Sequence, residues 1–222
     1  MAGKTLDCRH PVWEPLRAAF ELTQLAGSIP WLLLSPRGDG HPVVVLPGFL
    51  ANDLSTAMLR WHLAERGYQV RGWGLGLNDG PSDELASALL DLVREAASGG
   101  RRVSLVGWSL GGVFAWEAAA AEPELVRQVI TMGSPLHLAS SRAHRSPVPL
   151  SAVYSRTDAI VDWRHAVAPP GPRRESIEVR GSHLGLAHNV QVLLVVADRL
   201  AQPDGLWKPY AEGCGSGSRA AA

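Results

Sequence analysis

The sequence predicts an α/β fold, a mostly parallel sheet with helices on both faces, and three observations predict it. From Pro42 onward, short runs rich in β-branched residues alternate with helix-length segments, the order that lays strands side by side in one covered sheet. The strand-like run Arg102–Val106 leads into Gly107-Trp-Ser-Leu-Gly111 and then the Ala-rich stretch Val113–Ala121, a strand–turn–helix with a serine at its apex. The chain has 222 residues, 46% of them hydrophobic, enough for one well-buried domain and short for two.

The elements follow in order. Val12 to about Leu34 is helix-like, with Trp13, Leu16, Phe20, Leu25 and the block Trp31–Leu34 as apolar positions. Pro15 suits a first turn, and Pro30 argues for two helical pieces. Residues 1–40 are therefore expected as a helical segment packed on the core, whose apolar surface also offers a route to oligomers. Pro42–Leu46 reads as a buried parallel strand. Asp53 or Ser55 caps a helix carrying Leu59, Leu63 and Ala64, which Gly67 ends. Tyr68–Trp73 is the second strand, and Ser82 or Asp83 opens the helix Leu85–Ala97, stopped by Gly99-Gly100. Past the serine turn, Val126–Met132, Leu150–Ser155 and Glu175–Val179 read as strands. Asn189–Leu200 closes the domain as a helix with Val190, Leu193, Leu194 and Ala197 at helical spacing. Residues 41–210 form the expected core domain, with Trp207–Tyr210 docking on it. Residues 211–222, Gly-Cys-Gly-Ser-Gly-Ser-like from Gly213, read as a disordered tail or cloning remnant.

Composition removes several function classes. Lys plus Arg and Asp plus Glu both number 21, so the chain lacks the field that draws nucleic acid or an anionic membrane. The two cysteines, Cys8 and Cys214, exclude a disulfide scaffold and a multi-cysteine zinc site, and read as free thiols. No apolar run follows Lys4, and Gly27–Leu34 is too short to span a bilayer, so neither a signal peptide nor a transmembrane segment is visible. A cytoplasmic protein is expected.

A serine hydroxyl needs a general base, itself oriented by a carboxylate. In a strand–turn–helix of this kind the partners follow as acid and then His, each on a loop after a later strand. The loop after Leu150–Ser155 offers Asp158 as the orienting acid, with Asp162 as its rival or as a cap for the segment beginning at Trp163. The loop after Glu175–Val179 reads Arg180-Gly-Ser-His-Leu-Gly-Leu186, and the glycines around His183 permit a tight turn that aims its imidazole at Ser109. His188 is a competitor that fits better near a helix cap. The other six histidines, at 10, 41, 62, 137, 144 and 165, form no metal-ligand spacing and read as surface or half-buried imidazoles. Two backbone donors suit a developing oxyanion: the N–H of Leu110 and that of Phe49, in the loop Pro47-Gly-Phe-Leu50.

Taken together, Leu-Pro-Gly-Phe, Gly-Trp-Ser-Leu-Gly-Gly, Tyr-Ser-Arg-Thr-Asp and Gly-Ser-His-Leu-Gly resemble the motifs of the α/β-hydrolase family, most closely its small bacterial esterases and lipases. The likeness runs from about Pro42 to Leu200. It implies the α/β-hydrolase fold, Ser109, Asp158 and His183 as the catalytic triad, Phe49 and Leu110 as oxyanion donors, and no cofactor. Pro47 departs from the His that many lipases carry there, which bears on specificity more than on chemistry.

About 17 residues separate Met132 from Leu150, too few for a sizeable cap domain. The serine is expected to be open, with Phe49, Leu50, Trp108, Leu110 and Leu184 or Leu186 as apolar walls for substrate. Trp108 has a blander reading, packing under the bend. The leading function is hydrolysis of a small-molecule carboxylic ester with a short to medium acyl chain, through an acyl-enzyme. Acyl transfer and thioester or amide cleavage use the same triad, and a catalytically silent interaction protein is the remaining class. Gly72-Trp-Gly-Leu-Gly-Leu77 imitates a dinucleotide loop, but Leu77 replaces its third glycine and a turn follows instead of a helix.

Overall fold

A computed structural model describes residues 10–210; Cys8, Cys214 and the expected tail 211–222 lie outside them. Six strands form one wholly parallel sheet: β1 (Pro42–Leu46), β2 (Gln69–Gly72), β3 (Val103–Trp108), β4 (Val126–Met132), β5 (Leu150–Ser155) and β6 (Arg174–Val179). Their order is β2-β1-β3-β4-β5-β6. The chain thus reverses its direction of travel across the sheet between β1 and β3. In sheets of this kind, ligands gather beyond the strands' C-terminal ends at that switch point.

Alternation along β1 separates the two faces. Val43 and Val45 join one core cluster with residues of α1 (Glu14–Leu32), α2 (Ala57–Glu65) and α7 (Val190–Leu200). Val44 and Leu46 join the other, with residues of α3 (Asp83–Ala97) and α4 (Leu110–Ala121). Such alternation is what a strand covered on both faces requires. Two single-turn helices, α5 (Ser141–His144) and α6 (Trp163–Ala166), complete the α-helices of the described residues. The link between β4 and β5 holds α5 and a short turn, and no cap domain.

Local chemistry accounts for most helix ends. Ser82 accepts from the Leu85 N–H at 3.1 Å to open α3, and Asn189 accepts from the Gln191 N–H at 2.9 Å to open α7. Asp53 does something else: its carboxylate takes the N–H groups of Trp73 and Gly74 at 3.0 and 3.1 Å. It pins the end of β2, while Asn52 caps the short turn ahead of α2.

The N-terminal segment departs from expectation twice. It is one helix, because Pro30 lies in the last turn of α1, where its missing N–H removes a single hydrogen bond. Its exposed face is also the apolar one: Leu16, Phe20 and Trp31 are 64, 62 and 67% exposed, while Glu14 and Glu21 are 1 and 9% exposed. The buried face runs through Glu14, Ala18, Glu21, Leu25 and Leu32, a spacing that keeps one stripe of a helix inward. Two carboxylates lead that stripe because backbone N–H groups await them, as the site's geometry makes plain.

Candidate active site

Ser109 occupies the bend between β3 and α4 at φ 54° and ψ −127°, a strained conformation worth on the order of 1–3 kcal/mol. The surroundings enforce it. A Cβ added to Gly111 would stand 2.6 Å from the Leu46 carbonyl oxygen, so only glycine lets α4 start this close to β1. The Ser109 N–H donates to the Met132 carbonyl at 2.8 Å, fastening the bend to β4.

Around the serine, the loops after β5 and β6 converge. His183 Nε2 lies 3.0 Å from Ser109 Oγ, and Nδ1 lies 2.6 Å from Asp158 Oδ2. The His183 and Asp158 side chains are 3 and 2% exposed, so water competes little for either bond. The second oxygen of Asp158 accepts from the N–H groups of Ile160 and Val161, each at 2.8 Å. A carboxylate on Nδ1 selects the imidazole tautomer whose Nε2 is free to accept a hydroxyl proton. Asp162 takes no part: it accepts from the Arg164 N–H at 2.9 Å and caps α6. His188 donates to the Ala18 carbonyl at 2.9 Å instead.

The Pro47–Leu50 loop reaches the same point. Gly48 is pressed on the bend, where an added Cβ would lie 3.0 Å from that of Ser109. Among the described residues, the N–H groups of Phe49 and Leu110 have no acceptor. The Leu110 N–H also opens α4, where the partial positive charge of a helix end favours an anion.

Phe49 and Leu50 stand at the mouth, 53 and 64% exposed, and Leu184 is half-buried. Two other expected walls are not walls. Trp108 is buried, and its indole N–H donates to the His183 carbonyl at 3.0 Å; alternation along β3 turns it away from the mouth that Ser109 faces. Leu186 is fully buried, because the turn closed between its N–H and the His183 carbonyl, at 3.4 Å, folds it back into the core.

The glycines flanking His183 also serve a purpose besides the turn. Neither Gly181 nor Gly185 has a positive φ. Each makes room for a polar side chain: a Cβ on Gly181 would lie 2.8 Å from Asn189 Nδ2 and 3.2 Å from Glu21 Oε2, and one on Gly185 would collide with Glu21 Oε2. The apolar positions of α1 do not point to Glu14 or Glu21. The available signal was their seven-residue spacing, in phase with Leu25 and Leu32.

A second Ser–His–Asp chain exists at the opposite end of the sheet. His41 joins Asp39 at 2.5 Å and Ser104 Oγ at 2.8 Å. Ser104 is 0% exposed, so no substrate reaches it. Burial pushes His41 below the ordinary imidazole range, partly offset by Asp39. Burial alone would raise the Asp39 carboxyl, but hydrogen bonds from Arg127 and His41 outweigh it and hold it well below the usual carboxylate range. The arrangement closes the lower end of the fold. His41 and His62, both 1% exposed, are thus core residues and not the surface or half-buried imidazoles expected. The fold also brings His137 and His165 together, ring centroids 4.1 Å apart. No group of three or more potential metal ligands occurs among the described residues.

The fold and the placement of these groups at the switch point mark an α/β protein with a serine on a strand–helix bend, hydrogen-bonded to a histidine. The profile of the alpha/beta hydrolase fold family matches residues 41–165, and the chain belongs to that family. It is 30% identical over 119 residues to a pimeloyl-(acyl-carrier protein) methyl ester esterase of Aliivibrio fischeri (strain MJ11), covering 51% of this chain and 44% of the relative. It is 29% identical over 132 residues to a triacylglycerol lipase of Burkholderia plantarii, covering 54% and 37%. The matches span less than half the length of either relative. Among solved structures, one reported with the metagenome-derived lipolytic enzymes LipS and LipT superposes with a TM-score of 0.59 at 16% identity, over 74% of this chain and 94% of that one. Est1E from Butyrivibrio proteoclasticus gives 0.57 at 14% identity, over 73% and 86%. At such identities the likeness is one of fold. No helix among the described residues is long and apolar enough to cross a membrane.

Proposed function

We propose that this protein hydrolyses carboxylic esters of small molecules through an acyl-enzyme, with Ser109 as nucleophile, His183 as general base and Asp158 as its orienting acid. The observation that carries the reading is the unbroken hydrogen-bonded chain Ser109–His183–Asp158, at 3.0 and 2.6 Å. Ser109 Oγ attacks the ester carbonyl as its proton passes to His183 Nε2, and the carbonyl π electrons move onto oxygen. The resulting oxyanion is held by the N–H groups of Phe49 and Leu110. Collapse expels the alcohol, which takes the proton back from Nε2. Water, deprotonated by the same nitrogen, then attacks the acyl carbon and releases the acid and Ser109. Asp158 keeps the imidazole in one tautomer and stabilises its charged form.

Short to medium acyl chains suit the site, because Phe49 and Leu50 stand open to water and an exposed groove covers few methylenes, each worth about 0.8 kcal/mol when buried. The names of the two relatives, a methyl ester esterase and a lipase, agree with ester substrates. The test is hydrolysis of p-nitrophenyl esters from acetate to palmitate by the native chain and by Ser109→Ala. Turnover is expected to fall by roughly 10⁴-fold or more, and a fluorophosphonate should label the native protein at Ser109 alone. Turnover of the folded variant within tenfold of the native rate would overturn the reading.

A further inference from the structure

The two buried glutamates of α1 reach the loops that carry His183 and Asp158, and they reach them at the residues next to the functional ones. Glu14 Oε1 accepts from the Ala159 N–H at 3.0 Å, and its Oε2 from the Leu184 N–H at 3.1 Å. Ala159 follows Asp158 in the chain, and Leu184 follows His183. A single carboxylate therefore bridges the acid loop and the histidine loop. Glu21 works on the other flank: Oε1 accepts from the Ser182 N–H at 2.7 Å and Oε2 from Asn189 Nδ2 at 3.2 Å. Arg17, between them, bonds Glu14 at 3.3 Å and donates to the Thr157 carbonyl at 2.7 Å.

We propose that Glu14 and Glu21 are positioning residues, through which α1 clamps the Asp158 and His183 loops in register with Ser109. The proposal rests on the ester-hydrolase reading above for its kinetic test, and on geometry alone for its spectroscopic one. The physical need is clear. Both loops lie beyond the last ladder bonds of β5 and β6, where Ser155 and Thr157, bonded to Gly181, tie their bases together but leave the segments carrying Asp158 and His183 to be held further out. Displacing a reacting group by about 1 Å costs on the order of 10²-fold in rate. Exposing Leu16 and Phe20 while burying two carboxylates is unfavourable by itself. Backbone N–H donors repay it only if the carboxylates stay where the loops need them.

The chemistry also demands carboxylates and not amides. A Gln at 14 offers one acceptor oxygen, so its NH₂ must face the N–H of Ala159 or Leu184, donor against donor. A Gln at 21 meets the same conflict at Asn189, which is not free to flip. Its Oδ1 already accepts from the Gln191 and Val192 N–H groups at 2.9 and 3.3 Å.

Glu14→Gln and Glu21→Gln are compared with Leu16→Gln, on the exposed face of the same helix. For p-nitrophenyl acetate, each Glu variant should lose about 10–100-fold in kcat with KM within about threefold, while Leu16→Gln matches the native protein. Combined with Asp158→Asn, Glu14→Gln should cost far less than it does alone, because the bond it aligns is already impaired. The second measurement does not depend on turnover: the proton NMR signal of the His183 Nδ1–H bonded to Asp158, identified by its loss in Asp158→Asn. It should broaden or move upfield in both Glu variants and stay in place in Leu16→Gln. An unmoved resonance together with kcat within twofold would overturn the clamp. So would full additivity with Asp158→Asn, or failure of both Glu variants to fold, since α1 would then support the fold and not the register. Native activity that survives Ser109→Ala would overturn the ester-hydrolase reading and leave the resonance to decide the clamp.

Discussion

Trp108 and His183 are joined by a hydrogen bond, the indole N–H of one donating to the carbonyl oxygen of the other at 3.0 Å. The residue directly before Ser109 thus holds the turn that presents the imidazole to it. Trp108→Phe keeps most of the packing and deletes the bond. Stability should fall by about 1 kcal/mol, since the His183 carbonyl loses the nearer of its two donors and keeps the Leu186 N–H at 3.4 Å. Turnover should fall by about tenfold with KM little changed, read from urea denaturation and steady-state kinetics on the same preparation.

The two aspartates after β5 should separate cleanly. Asp158→Asn preserves shape but presents an amide to Nδ1, and should slow ester hydrolysis by roughly 10³–10⁴-fold. Asp162→Asn affects the cap of α6 and the exposed ion pair with Arg164 and should leave turnover within about twofold. Steady-state assays of both variants decide it, and reversed effects would make Asp162 the orienting acid.

The serine bend should tolerate no side chain at Gly111. An alanine there would drive its Cβ into the backbone oxygens of Leu46 and Pro47, and neither can move without displacing β1. Gly111→Ala should cost about 3 kcal/mol or more, visible as a large drop in the denaturation midpoint or as insoluble protein. Native-like stability would mean the bend is looser than its geometry indicates.

Acid should weaken the fold well above the carboxylate range. Burial, aided by the nearby Arg66, pushes His62 from 6.5 down to about 4. Between those values the unfolded chain binds the proton and the folded one does not, so stability is full above pH 6.5 and falls as pH drops toward 4. A shift of that size corresponds to roughly 3 kcal/mol across the window. His62→Gln should flatten this part of the curve, although it also alters the 3.4 Å contact with Ser35. Urea midpoints measured from pH 7.5 to 4 provide the check, and equal slopes for the two proteins would show that His62 does not titrate in this way.

How much of this was legible in the sequence depends on the range of the forces involved. The strands, the glycine spacing around Ser109 and the loops of Asp158 and His183 were readable because each is set by neighbours within a few residues. A bend between strand and helix admits no bulk at Gly107 or Gly111, and a parallel strand buried on both faces shows as a continuous apolar run. Even Asp158 and Asp162 differ in local terms, one directly after β5 and the other directly before α6.

By itself, then, the sequence determined the α/β alternation, the strained serine and the order in which its partners follow. The tertiary structure alone decided which face of α1 turns inward, why glycines flank His183, and that Trp108 and Leu186 lie under the site and not around it. The reason is that burial depends on what stands opposite. An apolar stripe on α1 would have met the unpaired N–H groups of Ala159, Ser182 and Leu184, and only carboxylates satisfy them. Those donors come from loops more than 140 residues away in the chain, so the spacing of Glu14 and Glu21 can put them on one stripe of α1 but cannot say what that stripe meets.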